Sequence, residues 1–329
     1  MCQIDNFYNT IHFTYNNMTL TQLEYIIAVQ DYGTFSRAAE HCFVTQPTLS
    51  MQIQKLEEEL GVIIFDRTKK PIRATPVGAE IIEQARHNIR GMARIEDIVH
   101  EQDREIRGQL RIGIIPTLAP YLLPLFITSF LEKYPQVSLT VDEYISGEIV
   151  HRLKQNWLDG GILVTPLEDA AIREIPLFYE RFFAYVSTKD PLIRGDAINL
   201  DQLDPNEMLL LSEGHCFRQQ VIRMCPEAVK GEWKGQLRFT SGSLETLKRI
   251  VEQDYGYTLL PELALMNISG KNRKRIRRLM DPVPVREVSL IVHRDVLKRN
   301  LINAFRDQLL EDIPDGLKKN PAENIVSWI

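Results

Sequence analysis

The chain has 329 residues, enough for about two domains of ordinary size. Apolar residues make up 44% and charged residues 25%, which excludes a disordered, collagen-like or disulfide-scaffold chain. No uncharged apolar run approaches the roughly 18 residues of a membrane span, and with a net charge of −5 any nucleic-acid binding must come from local charge.

Residues 1–17 lack the basic start, apolar centre and small-residue cleavage site of a signal peptide. They read as an N-terminal extension of a cytoplasmic protein with no membrane partner. Four cysteines are too few for a disulfide framework, and in a reducing compartment any bridge would be transient and regulatory.

From Met18 the pattern turns helical. Leu20, Leu23, Ile26 and Ile27 begin a helix with Thr19 or Thr21 as cap, broken by Gly33. Phe35–His41 predicts a short second helix, in which Ala38 and Ala39 let another helix approach closely. Thr45 caps a third, with Pro47 in its first turn, where a missing N–H costs little. Leu49, Ile53, Leu56 and Leu60 form its apolar stripe. Short helix, turn, longer helix is a helix-turn-helix pattern. The opposite face carries Gln46, Thr48, Ser50, Met51, Gln54 and Lys55, and Gln and Ser can reach base edges in a major groove. A three-helix interaction module with a solvated polar face is the alternative. Residues 67–75 then hold four cations and no acid, with Pro71 at a turn, whereas residues 18–106 carry 10 basic against 14 acidic side chains. The focused cations Arg67, Lys69 and Lys70 suit a wing that neutralises phosphates, or simply a solvated turn.

Residues 76–106 read as one long linker helix. Val77, Ile81, Ala85, Ile89, Met92, Ile95 and Val99 recur at spacings of three and four, a seam for a partner helix in a dimer or for the chain's own core. From about residue 109 strands and helices alternate. Gln109–Ile115, Val137–Val141, Ile162–Val164, Phe182–Val186, Tyr257–Pro261 and Val288–Val292 are the predicted strands, and the first is followed by Pro116-Thr117 and a helix through Phe130. This predicts a mostly parallel α/β architecture of two lobes, about 107–180 with 285–313 and about 181–284, around a ligand cleft. Residues 314–329 read as a polar, loose C-terminal tail.

The most informative segment is Ser212–Cys225. Leu209–Leu211 predicts a short strand, Gly214 a turn, and Phe217–Met224 a helix. Cys216 then lies at a helix N-terminus beside His215 and Arg218, a setting that favours thiolate, which a peroxide could oxidise to sulfenic acid. Cys225 is the available second thiol. Nine helical steps of about 1.5 Å separate the two Cα atoms by roughly 13 Å, whereas a disulfide needs about 4.4–6.8 Å, so bonding requires the intervening turns to unwind. Yet a spacing of nine is no recognised metal or redox pattern by itself, and two unrelated packed thiols fit the residues as well. The seven histidines do not cluster with cysteines or acids at metal spacing, so neither metal nor cofactor is expected. Residues 271–278 hold six cations in eight positions and read as a solvated face, with DNA contact as the alternative.

Residues 18–75 resemble the N-terminal domain of LysR-type transcriptional regulators. The likeness runs through Leu20-x-Gln22-Leu23, Gly33-Thr34-Phe35-x-x-Ala38-Ala39, Val44-Thr45-Gln46-Pro47-x-Leu49-Ser50-x-Gln52-Ile53, Leu56-Glu57-x-x-Leu60-Gly61, Phe65-x-Arg67 and Thr75-x-x-Gly78. The resemblance implies a winged helix-turn-helix over 18–75, a linker-helix dimer through 76–106, and an effector domain over 107–313 built like periplasmic binding proteins. It implies double-stranded operator DNA as partner, tetramers of the chain, and RNA polymerase as a further contact. Arg37, Gln46, Pro47, Thr48, Ser50, Arg67, Lys69 and Lys70 would touch DNA; many relatives carry a cation where this chain has Met51.

The segment Gly214-His215-Cys216-x-Arg218-x-Gln220 through Cys225 is similar to the redox loop of peroxide-sensing members of that family. Ile115-Pro116-Thr117-x-x-Pro120-Tyr121-Leu122-Leu123-Pro124 and Ser243-Leu244-Glu245-Thr246-Leu247 share the likeness. It implies Cys216 as the peroxide-reactive thiol, Cys225 as the resolving thiol, and Thr117, Ser146, His215 and Arg218 around the peroxide; Gln219 replaces an acid found in some relatives. The expected function is a DNA-binding regulator, not an enzyme, switched by a reversible Cys216–Cys225 disulfide. A regulator answering to a metabolite in the cleft is the alternative. A thiol peroxidase or a transport-type solute-binding protein leaves the wing and reading helix without a role.

Overall fold

The computed structural model describes residues 18–69, 71–101, 105–204, 206–225, 239–296, 298–319 and 325–326. The chain divides into two compact units, Met1–Glu96 and Asp97–Ile329.

In the first unit, α1 (Leu20–Tyr32) starts on Thr19, whose hydroxyl accepts from the Gln22 N–H while the Gln22 side chain accepts from the Thr19 N–H. Gly33 ends it at φ +69°, a left-handed conformation that costs glycine little. Helix α2 (Phe35–His41) is capped by Thr34, and α3 (Gln46–Leu60) by Thr45. Ala38, Ala39, Leu49, Ile53 and Leu56 are buried together. Leu60 is 41% exposed, so the stripe stops one member early, at the last turn of α3. Strands β1 (Phe65–Asp66) and β2 (Arg73–Ala74) pair antiparallel as the wing.

The linker helix is α4 (Pro76–Glu101). Its expected seam splits into two faces. Ile82 and Ala85 are buried in the unit's own core and Ile81 and Ile89 pack at its edge, while Val77, Met92 and Ile95 are exposed. The Val99 side chain lies outside the described residues.

The second unit is built on a curled eight-stranded sheet with helices on it. Its strands are β3 (Gly108–Ile114), β4 (Val137–Glu143), β5 (Gly160–Thr165), β6 (Ile172–Val186), β7 (Ala197–Ile198), β10 (Tyr257–Pro261), β11 (Ile276–Leu279) and β12 (Val285–His293). A separate parallel pair is β8 (Leu210–Leu211) with β9 (Thr240–Ser241). The order is β4-β3-β5-β12-β6-β11-β7, with β10 also on β6. The fifteen-residue β6 serves two layers of neighbours: residues 172–181 pair with β12, and residues 182–186 with β10 and β11. The sheet is mixed, not mostly parallel. β3 runs parallel to β4 and β5, but β6 and β12, which carry the chain between lobes, run against their neighbours.

Helices α5 (Ala119–Lys133), α6 (Ser146–Lys154), α7 (Cys216–Met224), α8 (Leu244–Glu252) and α9 (Arg299–Asp312) cover the sheet. Phe305 of α9 meets Phe126 and Phe130 of α5 edge-on, at 5.2 and 5.3 Å between ring centroids. The tail is docked where it is described. Leu317 is buried, Ile325 forms a parallel bridge with Val285, and the Val326 N–H donates to the Val285 carbonyl at 2.7 Å. The basic run is only partly a solvated face. The Arg275 guanidinium is buried against Asp254 at 2.8 Å and the Val251 carbonyl, and Arg277 donates to the Ile193 carbonyl. Among the described residues no helix is long and apolar enough to cross a membrane.

Candidate functional site: a buried thiol between two lobes

After β3 the chain turns inward and buries Thr117. Arg286, second residue of β12, reaches it from the other side. Its Nη1 donates to Thr117 Oγ1 at 3.2 Å, and its Nη2 donates to the Thr117 carbonyl at 3.4 Å. Arg286 is also paired with Glu180 of β6 at 2.6 Å, both side chains 0% exposed. The Glu180 carboxylate accepts a further bond from the Leu263 N–H at 2.9 Å. The Arg286 guanidinium lies 5.4 Å from the Phe217 ring centroid, and Phe217 stacks on Phe182.

Phe217 follows Cys216, so this packing fixes the start of α7. Gly214 turns the chain into the helix at φ +90°, and a Cβ there would meet Ile145 Cδ1 at 3.2 Å. That close approach sets Ile145-Ser146, opening α6 in the first lobe, against Cys216 in the second. Burial pushes the Cys216 thiol up from its ordinary value. The Ser146 hydroxyl and the Arg286 charge oppose that shift without cancelling it. Ser146 Oγ is buried without a hydrogen bond of regular geometry, yet lies near enough to the thiol to favour its ionised form.

The helix end, His215 and Arg218 were expected to favour thiolate, and burial works against that. Burial pushes the His215 imidazole down, so it is neutral near pH 7. The Arg218 guanidinium donates to the Leu211 carbonyl at 2.9 Å and ties α7 to β8. The cation that acts on the thiol is Arg286. Neither it nor Glu180 was picked out from the sequence. The available signal was weak, a Glu180-Arg181 and an Arg286-Glu287 charge pair, each flanked by apolar residues.

Cys225 caps the other end of α7, its N–H donating to the Val221 carbonyl at 2.9 Å. Burial, with the nearby Asp201, pushes its thiol up to about 11. Both thiols are free. With α7 continuous from 216 to 224, the rise per residue sets the two Cα atoms roughly 13 Å apart. A third tie spans the lobes: the Tyr121 hydroxyl of α5 donates to Glu245 of α8 at 2.6 Å, and Lys248 donates to the same oxygen at 2.6 Å.

On the first unit, Gln46 and Pro47 are exposed at the N-terminus of α3, Arg37 is exposed on α2, and Thr48 and Ser50 are half-buried. The Thr48 hydroxyl is shared with Thr45 Oγ1 at 2.8 Å, so it serves the cap. Met51 is 62% exposed on the same face. Arg67 pairs with Glu57 of α3 at 2.9 Å and lies over the Phe35 ring, anchoring the wing. Lys69 is exposed, with Asp66 at 3.6 Å. Lys70 lies outside the described residues.

Residues 20–79 match the family described as "Bacterial regulatory helix-turn-helix protein, lysR family", and residues 103–314 match "LysR substrate binding domain". The chain is 34% identical over 305 residues to the hydrogen peroxide-inducible genes activator of Haemophilus influenzae, covering 92% of this chain and 100% of that one. It is 34% identical over 274 residues to the DNA-binding transcriptional dual regulator OxyR of Escherichia coli, covering 83% and 89%. Among solved structures, a full-length OxyR variant from Pseudomonas aeruginosa superposes with a TM-score of 0.71 at 32% identity, covering 90% of this chain and 99% of that one.

Proposed function

The chain belongs to the LysR family of bacterial regulators, and from that premise we propose that it is a hydrogen peroxide-responsive, DNA-binding transcriptional regulator. The observation that carries this reading is the pair of free, buried thiols at opposite ends of one helix, the first beside a buried arginine and two buried hydroxyls. Relatives named as peroxide-inducible gene activators over nearly the whole chain support it.

Cys216 gives up its proton, which ends on the departing peroxide oxygen. The sulfur attacks one peroxide oxygen and the O–O bond breaks. The leaving hydroxide takes up that proton as water, and Cys216 becomes a sulfenic acid. Arg286 favours the thiolate in this step; Thr117 and Ser146 offer hydroxyls to the peroxide. The Cys225 sulfur then attacks Cys216, the S–S bond forms, the S–O bond breaks, and hydroxide leaves as water with the Cys225 proton. Two electrons pass from two thiols to one peroxide. Because α7 holds the sulfurs too far apart, the second step requires the helix to unwind, and the effector domain changes shape.

Gln46, Pro47, Thr48 and Ser50 present the reading face, with Arg37, Arg67, Lys69 and Lys70 for phosphates. The exposed Val77, Met92 and Ile95 of α4 supply an apolar face for a second copy, since a dimer reads two half-sites. Tetramers and an RNA polymerase contact follow the family pattern. The protein acts in the cytoplasm as a switch and not as an enzyme, since each molecule is oxidised once per signal.

The test is a thiol titration before and after stoichiometric hydrogen peroxide. Loss of two thiols per chain is expected, abolished by Cys216→Ser, together with changed protection of a DNA target. Unchanged thiols in the folded protein overturn the reading and leave a metabolite-responsive regulator.

A further inference from the structure

Gln220 lies in the middle of α7, between the two cysteines, and is completely buried. Buried helix positions beside Phe217 and Val221 suit apolar residues, and a primary amide there is costly unless it is bonded. Its amide nitrogen donates to the Val326 carbonyl at 2.7 Å, and its oxygen has no partner among the described residues. The bond to the C-terminal segment is therefore what holds this side chain in place. The segment's two described residues, Ile325 and Val326, are in turn tied to β12. Ile325 pairs with Val285 by a single bridge, and the Val326 N–H donates to the Val285 carbonyl. Val285 immediately precedes Arg286, the cation beside the reactive thiol.

We propose that Ile325–Val326 is a redox-released strap. It rests on the peroxide-switch reading given above. When two thiols lose two electrons to peroxide and Cys216 bonds to Cys225, the stretch from 216 to 225 unwinds, and Gln220 lies within it. The side chain cannot follow the unwinding backbone and stay on Val326. The docked strap thus favours the dithiol state, and by linkage the disulfide disfavours the docked strap. Ile325–Val326 is freed when the sensor is oxidised and recaptured when it is reduced.

Two variants test this: the chain shortened to end after Lys319, and the full chain with Gln220→Leu, which keeps the site filled. Each is equilibrated in glutathione buffers beside the parent protein, and amide hydrogen exchange at 325–326 is followed with and without peroxide. We expect both variants to shift the equilibrium toward the disulfide by about fivefold, the worth of one net hydrogen bond. We expect peroxide to deprotect the Val326 amide in the parent protein but not in Cys216→Ser. If thiols are lost with Val326 protection unchanged and both equilibria unmoved, the strap is overturned while the switch stands. If the parent protein loses no thiols, both fall.

Discussion

Arg286 Nη2 lies 2.6 Å from Glu180 Oε2, with neither side chain exposed to water, and the pair joins the two strands that pass between the lobes. Removing one partner strands a buried charge. Arg286→Met should destabilise the effector unit by about 3–5 kcal/mol in denaturant unfolding. Glu180→Gln combined with Arg286→Met should recover most of that loss, since Gln keeps an acceptor for the Leu263 N–H. Additive losses in the double variant would show that the pair is not the source.

The Cys216 thiol is pushed up by burial, despite Ser146 and Arg286. Difference absorbance of thiolate between the parent protein and Cys216→Ser should titrate above the ordinary value of 9.0. The unfolded chain ionises this thiol more readily, so its contribution to stability is full below the ordinary value and is lost as pH rises from there toward the raised one. A midpoint near neutrality would show a resting thiolate.

His215 is pushed down by burial from an ordinary 6.5. The unfolded state binds its proton more tightly than the folded state. Stability is therefore full above about pH 6.5 and falls as pH drops toward the lowered value. Melting temperatures between about pH 7.5 and 5.5 should decline less steeply in His215→Gln than in the parent protein.

A Cβ at Gly78 would sit 2.1 Å from the Ile64 carbonyl oxygen. Backbone cannot yield as a flexible side chain does. Gly78→Ala should cost the DNA-binding unit about 1–3 kcal/mol. Operator affinity should fall while peroxide-driven thiol loss keeps its rate; an equal fall in both would place Gly78 in the redox machinery.

The wing cations differ in their ties. Lys69→Ala should weaken DNA binding uniformly across sequences and lower the slope of log K against log salt by about 0.9, the value of one phosphate contact. Arg67→Ala should in addition loosen the wing, because Arg67 is bound to Glu57 and stacked on Phe35. Thermal unfolding of residues 18–96 separates the two: Lys69→Ala leaves it unmoved.

The helix-turn-helix was legible because its determinants act within one or two turns. Thr19, Thr45 and Gly33 cap or stop helices by local hydrogen bonds and a left-handed φ, and Leu49, Ile53 and Leu56 mark a buried face by period alone. The same locality placed Cys216 and Cys225 at the two ends of one helix, and so carried the distance between them. On α4 it was insufficient, since a seam of threes and fours does not say which residues meet the chain's own core; only packing assigned Ile82 and Ala85 inward and left Met92 and Ile95 outside.

Sequence alone thus determined the elements, their caps and the helix that separates the sulfurs. Tertiary structure decided the chemistry at the first sulfur. Ionisation depends on burial and on charges near in space, and β12 brings Arg286, paired with Glu180 of β6, to a thiol that it does not approach along the chain. It also decided the fate of the tail, because Gln220 and Val326 meet only after the sheet has closed around them.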